Sequence, residues 1–370
     1  MKNIPSAHQI PYFIKYFIIL ASTVLTCYVL VISKPILNSL LPACIFALLL
    51  RPFCVRLERL KIPRSLSTVL SILLVLILFA GLSFFFSTQV GSITSNMDSL
   101  VNTFTSLFDK LQQWTSHQFG IQPQEQIAYI KSSLVSLLKN SSTFFSSTLS
   151  ATAGFFTAFF LFLLALFFFL YYRTFLLSFL YQLFRKEHHK RVTAVVARVE
   201  VVVRKYILGL FLVILTMATL NTVGLLLLGI KHAVFFGVLA ALLTIIPYVG
   251  ILIGSTLPIL FALATTDSLW YPIGVLLIFV FVQFLEGNFI TPNIIGNQVS
   301  INPFAAILGL FIGGMLLGVI GVIFALPILA ILKVICDEID SLKPIGYVLG
   351  NPSTVPGRKR KSLRVRAEKN

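Results

Sequence analysis

Charge is what this chain has least of. Asp, Glu, Lys and Arg supply 11% of its 370 residues while hydrophobic residues supply 57%, which excludes an ordinary soluble enzyme of this length. Acids are the scarcer sign, 12 against 29 bases, for a net charge of +17. That excess would suit a nucleic acid if it formed one patch, but it is split. Five bases lie in Arg51–Arg64, eight in Arg173–Lys205 and nine in Lys333–Asn370. Each block follows the end of an apolar span, as the positive-inside bias places them, so no nucleic-acid partner is expected. Cysteine is nearly as sparse. Cys27, Cys44, Cys54 and Cys336 lie in or beside apolar runs with no CxxC and no Cys/His cluster, which argues against a disulfide framework or a zinc site. His188 and His189 are adjacent, hence on different helix faces, and have no third ligand nearby. The chain has no Walker motif, no nucleophile elbow and no carboxylates paired at enzyme spacing. It reads as a non-enzyme with no cofactor and no metal, and uphill transport would have to draw on an ion gradient or an external partner.

Long apolar runs fill the space that charge leaves. Phe13–Ile32 is too long for the apolar part of a signal peptide and reads as a retained first span. Ile36–Leu50 is short, carries Pro42, and reads as a tilted or re-entrant second span after a turn at Lys34-Pro35. Ser65–Ser87 is the third, Ala151–Tyr172 the fourth and Ile207–Ile230 the fifth. Between the third and fourth, Gln89–Ser150 is rich in Ser, Thr, Asn and Gln and has no net positive charge. Val90, Ile93, Met97, Leu100, Phe104, Leu107, Leu111 and Trp114 recur at helical spacing, as do Ile127, Ile130, Leu134, Leu137 and Leu138. These predict two external amphipathic helices, which cover each other and the membrane part or else bind lipid, line a vestibule or pack against a neighbouring subunit.

Between Lys231 and Lys333 the only charged residues are Asp267 and Glu286. The uncharged run 232–266 would make about 52 Å of helix, against a hydrocarbon core of roughly 30 Å. Pro247, Gly250, Gly254 and Pro258 interrupt it. Ser268–Leu285 follows as the seventh span, Glu286–Asn302 reads as an irregular polar loop, and Phe304–Leu332 reads as the eighth span. Broken helices at membrane depth are tolerated only where protein or a water-filled cavity satisfies the freed backbone, and they point to transport sites. The expected fold is an all-α polytopic membrane protein of about eight transmembrane helices, some broken or re-entrant. Its parts are the N-terminal helices 1–88, the external segment 89–150, a core 151–336 and a basic tail 337–370. The core holds a basic hairpin at 173–205 and the broken helices at 232–333. Eight crossings place both termini inside the cell.

Glu286 is the leading site residue. An acid at membrane depth costs roughly 2.5–3.5 kcal/mol on insertion scales, and one drawn partly out of water holds a proton more readily. It could exchange that proton in step with a solute held by Gln283, Asn288, Asn293 and Asn297. The plainer reading is an interfacial acid that caps a helix or bonds loop amides. Asp267 reads as a solvated turn residue. Pro247, Tyr248 and Gly250 mark the first break, and Pro292, Gly296, Pro303 and Pro327 punctuate the second. Gly313, Gly314 and Gly318, with Gly309 and Gly321, sit at small-residue spacing that serves tight helix packing or a gating hinge.

These stretches carry a resemblance. Tyr206 and Gly209, then Ile246-Pro247-Tyr248-Val249-Gly250, then Glu286, Asn288, Pro292, Gly296, Pro303, Gly313, Gly314, Gly318, Gly321 and Pro327 match in order and spacing. The chain resembles the autoinducer-2 exporter-like (AI-2E) transporter family over nearly its whole length. It departs at Leu210, where a polar residue is frequent, and at Ile251, where a second proline is frequent. The resemblance implies a multi-pass protein of the bacterial inner membrane, homo-oligomeric and of pentameric type. It further implies secondary transport, with members linked to export of a signalling molecule and to exchange of sodium or potassium for protons. The expected partners are the lipid bilayer, further copies of the chain and a small polar solute or ion. A passive channel and a non-transporting membrane scaffold are the competing readings.

Overall fold

In a bilayer the backbone has no water to bond to, and an α-helix satisfies itself within one segment. The computed structural model describes residues 12–94, 141–246, 249–266, 268–295 and 301–350. Among these, every extended element is a helix, and the only strand-like pairing is a single bridge between Ile301 and Gly350. Six helices are long and apolar enough to cross a membrane. The protein is an all-α polytopic membrane protein. Most of the external segment, the basic end of the tail, Asp267, Pro247, Tyr248, Gly296 and Asn297 lie outside the described residues.

Helices α1 (Tyr12–Ile32) and α2 (Lys34–Arg59) meet at Ser33, whose φ of −78° and ψ of 1° remain close to helical. The chain bends there and does not turn back, which corrects the reversal expected at Lys34-Pro35. The short second run is likewise corrected. α2 has 26 residues, about 39 Å of helix, enough to cross. Pro35 stands in its first turn, where the missing N–H costs nothing, and Pro42 and Pro52 are carried inside it. Helix α3 (Arg64–Thr94) returns beside α2. Helix α4 (Ser141–Tyr171) runs parallel to α2. Ser39 donates to the Ala158 carbonyl at 3.1 Å, the Phe46 and Phe162 rings meet at 5.6 Å, and Glu58 pairs with Arg173. Small residues of α2, Ala43 and Ala47, let Phe162, Leu166 and Leu170 close the core between them.

The basic hairpin folds as α5 (Arg173–Gln182) and one 3₁₀ turn, then joins α6 (His189–Leu227). The amphipathic helix predicted from Val192 and the fifth span are therefore one helix of 39 residues.

The sixth and eighth elements are the broken ones, and each is a pair of antiparallel helices. α7 (Ala233–Leu243) and α8 (Val249–Thr265) form the first hairpin. Phe236 faces Phe261 at 5.1 Å near its base, and Gly254 lies on Ala240 and Gly250 on Leu243 near its tip. With 11 residues, α7 is about 16 Å long and too short to cross. Helix α9 (Trp270–Leu285) then runs back along α6, with Gly274 on Leu228 and Gly224 on Ile278. α11 (Pro303–Leu317) and α12 (Val319–Glu338) form the second hairpin in place of one eighth span. It reverses at Gly318, whose φ of 67° and ψ of −142° are open to glycine alone. Each hairpin returns to the side it entered from, so replacing two crossings by two hairpins leaves the sidedness of the basic blocks unchanged.

The basic ends are tied by ion pairs: Arg51 to Glu200 between α2 and α6, and Arg198 to Glu338 between α6 and α12. Beyond α12, helix α13 (Lys343–Leu349) is held by Asn302, which donates to the carbonyls of Val348 and Gly350 at 2.5 and 3.2 Å. Lys343 beside Asp340, with Arg191 behind it, holds that carboxyl below the usual carboxylate range. A lowered folded value means the tie is in place above the ordinary carboxylate titration and is lost as pH falls through the lowered one. The protection factors of the α13 amides, which remove the intrinsic pH dependence of exchange, should therefore be flat from neutral pH to about pH 4 and fall only below it. A fall near pH 6 would assign the tie to another group.

Candidate transport site

The site is built where the tip of the first hairpin meets α6 and α9. Asn221 sits in the apolar half of α6 and is 1% exposed. Its amide oxygen has no hydrogen-bond partner, a state that costs about 1–3 kcal/mol in an apolar interior. It faces a small cavity also lined by Met217, Thr244, Gly250, Phe279 and Gln283. Glycine at 250 is what lets the tip close, because a Cβ there would run into the Leu243 carbonyl. Thr244 at the tip gives its hydroxyl hydrogen to the Ala241 carbonyl at 2.6 Å.

Gln283 leads from this cavity to the acid. Its Nε2 donates to Glu286 Oε2 at 2.8 Å, and Thr291 Oγ1 donates to Glu286 Oε1 at 2.5 Å. Both carboxylate oxygens are engaged, and the side chain is only half-buried. Glu286 lies about 24 Å along its helix from Trp270, toward the far end of an apolar stretch long enough to cross a membrane.

The pairing with Thr291 depends on local backbone geometry. From Glu286 to Ile290 the helix widens to π geometry, with the Thr291 N–H on the Glu286 carbonyl. This lets the chain pass Pro292, whose ring would otherwise press on the preceding turn. The helix then continues as α10 (Thr291–Ile294). Residues 286–294 are therefore helical, which corrects the irregular polar loop. Loop and helix share this polar composition, and the polar groups find partners within the helix. Ile294 and Ile295 close on α6 at Gly209, where a Cβ would come within 3.2 Å of Ile295. Of the predicted companions, Gln283 joins Glu286. Asn288 is exposed and bonds its own Phe284 carbonyl at 2.9 Å, and Asn293 is exposed as well. Asn221, Thr244 and Thr291 escaped the sequence reading. The available signal was a lone asparagine in the uncharged run Ile207–Ile230.

Residues 17–341 match the sequence pattern of the AI-2E family transporters, from within α1 to just past α12. The chain belongs to the AI-2E transporter family. It is similar to "Putative transport protein YueF" of Bacillus subtilis (strain 168), 29% identical over 300 residues, which are 75% of this chain and 78% of that protein. It is also similar to "Putative transport protein MT0215" of Mycobacterium tuberculosis, 26% identical over 326 residues, 85% of this chain and 86% of that one. "Putative transport protein YhhT" of Escherichia coli (strain K12) is 28% identical over 140 residues, 38% of each chain.

In this AI-2E family member the remaining motif residues gather in the second hairpin, apart from Glu286. Pro303 opens α11 behind Asn302, whose Oδ1 accepts from the Ala305 N–H at 2.8 Å, an N-cap with proline in the first turn. Gly313 and Gly321 each lie on the other's carbonyl, and Gly314 lies on Val322. Pro327 is fully buried inside α12. Tyr206, another motif residue, is buried on α6.

Proposed function

We propose that this chain is a secondary transporter that moves a small polar solute or ion across the bacterial inner membrane and couples that movement to protons at Glu286. One observation carries the reading. A line of polar side chains, Asn221, Thr244, Gln283, Glu286 and Thr291, runs through an otherwise apolar helix pack at the tip of a broken hairpin. Polar groups at that depth are costly, and proteins keep them where a solute or ion passes. The carboxylate is the one acid in the uncharged stretch among the described residues, so it is the group able to take up a proton there. Sodium and potassium are the first ions to test, with small hydroxylated solutes beside them.

The basic face, carrying Arg51–Arg64 and Arg173–Lys205, is taken as cytoplasmic on the positive-inside bias, with the C-terminal end of α12 on it. The family resemblance supports a homo-oligomer of pentameric type embedded in lipid. Asn288, Asn293 and Asn297 are taken as further contacts for the solute, and the glycines of the second hairpin as serving its packing and movement.

The test is flux in proteoliposomes under an imposed pH gradient, comparing the wild type with Glu286→Gln. Glutamine keeps the size, still accepts from Gln283 and can donate to a Thr291 hydroxyl that has turned round, but cannot exchange a proton. Gradient-driven flux is expected to fall by about a hundredfold, the size of effect a lost proton-transfer group has elsewhere, with folding and assembly intact. Flux that ignores both the gradient and the substitution would make the protein a channel. Sensitivity to deletions in 89–150 together with indifference at Glu286 would favour a scaffold.

A further inference from the structure

We propose that Asn221 is a positioning residue that holds one water molecule against Thr244 and Gln283, and so ties the first hairpin's tip to Glu286. The inference rests on the role proposed for Glu286, but its chemistry stands on separate observations. The Asn221 oxygen is buried and unpaired. Thr244 has given its hydrogen to Ala241, so its oxygen offers the cavity lone pairs. Gln283 has turned its amide nitrogen to Glu286, which leaves its own oxygen as an acceptor. The cavity of about 10 Å³ is therefore lined by three acceptor side chains from three elements. Its occupant must be a hydrogen-bond donor no larger than water, and a water has two hydrogens, one for Asn221 and one shared between Thr244 and Gln283. An organic solute is excluded by size in this conformation.

The consequence is mechanical. Asn221 stands on the long helix α6, Thr244 on the hairpin, and Gln283 one turn before the acid. While the tip is seated, the water and Gln283 hold the carboxylate in place. Were the water's contact on Thr244 lost, Gln283 would be released with it. Asn221 thus acts through Gln283 and does not touch the transported species.

Two measurements on the full-length protein in liposomes decide it. In a background with Cys27, Cys44, Cys54 and Cys336 replaced by serine, Asn221→Cys is compared with Leu225→Cys. Leu225 is one turn along the same helix and wholly buried. Thiols react as thiolates, which form in water and are suppressed in apolar packing. Silver ion, a thiol reagent about the size of a water molecule, should therefore block Asn221→Cys about tenfold faster or more, read by maleimide labelling of the remaining thiol after denaturation. Equal, slow modification would mean a dry packing defect and would overturn the proposal. This readout needs no transport, so it stands or fails independently of the flux assay. The second measurement is gradient-driven flux in Asn221→Ser and Asn221→Leu. Serine keeps a polar contact for the water and should retain coupled flux, while leucine, of similar size, should lose about tenfold, the factor equal to one hydrogen bond's worth of stabilisation. Equal loss in both would reduce Asn221 to a packing role and overturn the proposal.

Discussion

Gly321→Val is expected to unseat the second hairpin. At that position a Cβ would fall on the Gly313 carbonyl and within 2.9 Å of the Leu317 Cβ, and at Gly313 one would come within 2.6 Å of the Gly321 carbonyl. The two helices touch backbone to backbone, so no flexible side chain can move aside and the helices themselves must part. Overpacking in a tight core costs typically 1–3 kcal/mol and at times more. A clash against backbone on both sides belongs at the upper end, about 3 kcal/mol. The thermal midpoint in mild detergent should fall by roughly 6–12 °C, from the usual 2–4 °C per kcal/mol. Gly81→Ala is the control, because nothing lies within 4 Å of the added methyl and alanine is the better helix former by about 1 kcal/mol. Its midpoint should hold or rise. If both variants melt together, close glycine packing is not what seats this hairpin.

The second large effect is expected at the ion pair between α2 and α6. Arg51 and Glu200 keep 35% and 16% of their side chains exposed, so the pair lies between the surface case, worth about 0–1 kcal/mol, and the buried case, where removing one partner costs about 3–5 kcal/mol. Glu200→Leu leaves a half-buried guanidinium without its partner and should cost about 2 kcal/mol. Arg51→Met combined with Glu200→Leu should recover most of that loss, because well-packed apolar residues replace a partly desolvated pair at little cost. A double variant no more stable than Glu200→Leu would show that Arg51 contributes through contacts other than Glu200. Melting midpoints of the three variants against the wild type close the cycle.

Much of this fold was legible because apolar run length and basic blocks are local properties. The third, fourth, fifth and seventh spans and an interruption after Leu243 follow from runs of one composition ending at charge or proline, while Pro303, expected to bend a helix, opens α11 and the second stretch turns at Gly318 instead. Gln283 and Glu286 were legible together for the same reason, being three residues apart on one helix. Asn288 and Asn293 were expected beside them because polar residues cluster there in sequence. Each residue turns about 100° around a helix, and the π turn at Glu286–Ile290 shifts the phase again. Thr291 therefore reaches the carboxylate while Asn288 bonds its own backbone.

By itself, the sequence determined that this is a polytopic helical membrane protein with only two acids, Asp267 and Glu286, in its longest apolar region and two interrupted stretches. Those follow from hydration energies and backbone constraints that act residue by residue. Only the tertiary structure decided that each interrupted stretch doubles back and that Asn221, far along the chain, shares a cavity with Gln283. A broken apolar run can be either a kinked crossing or a hairpin. The choice falls to contacts between distant backbones, Gly250 on Leu243 and Gly313 on Gly321, whose energies appear only once the helices are packed.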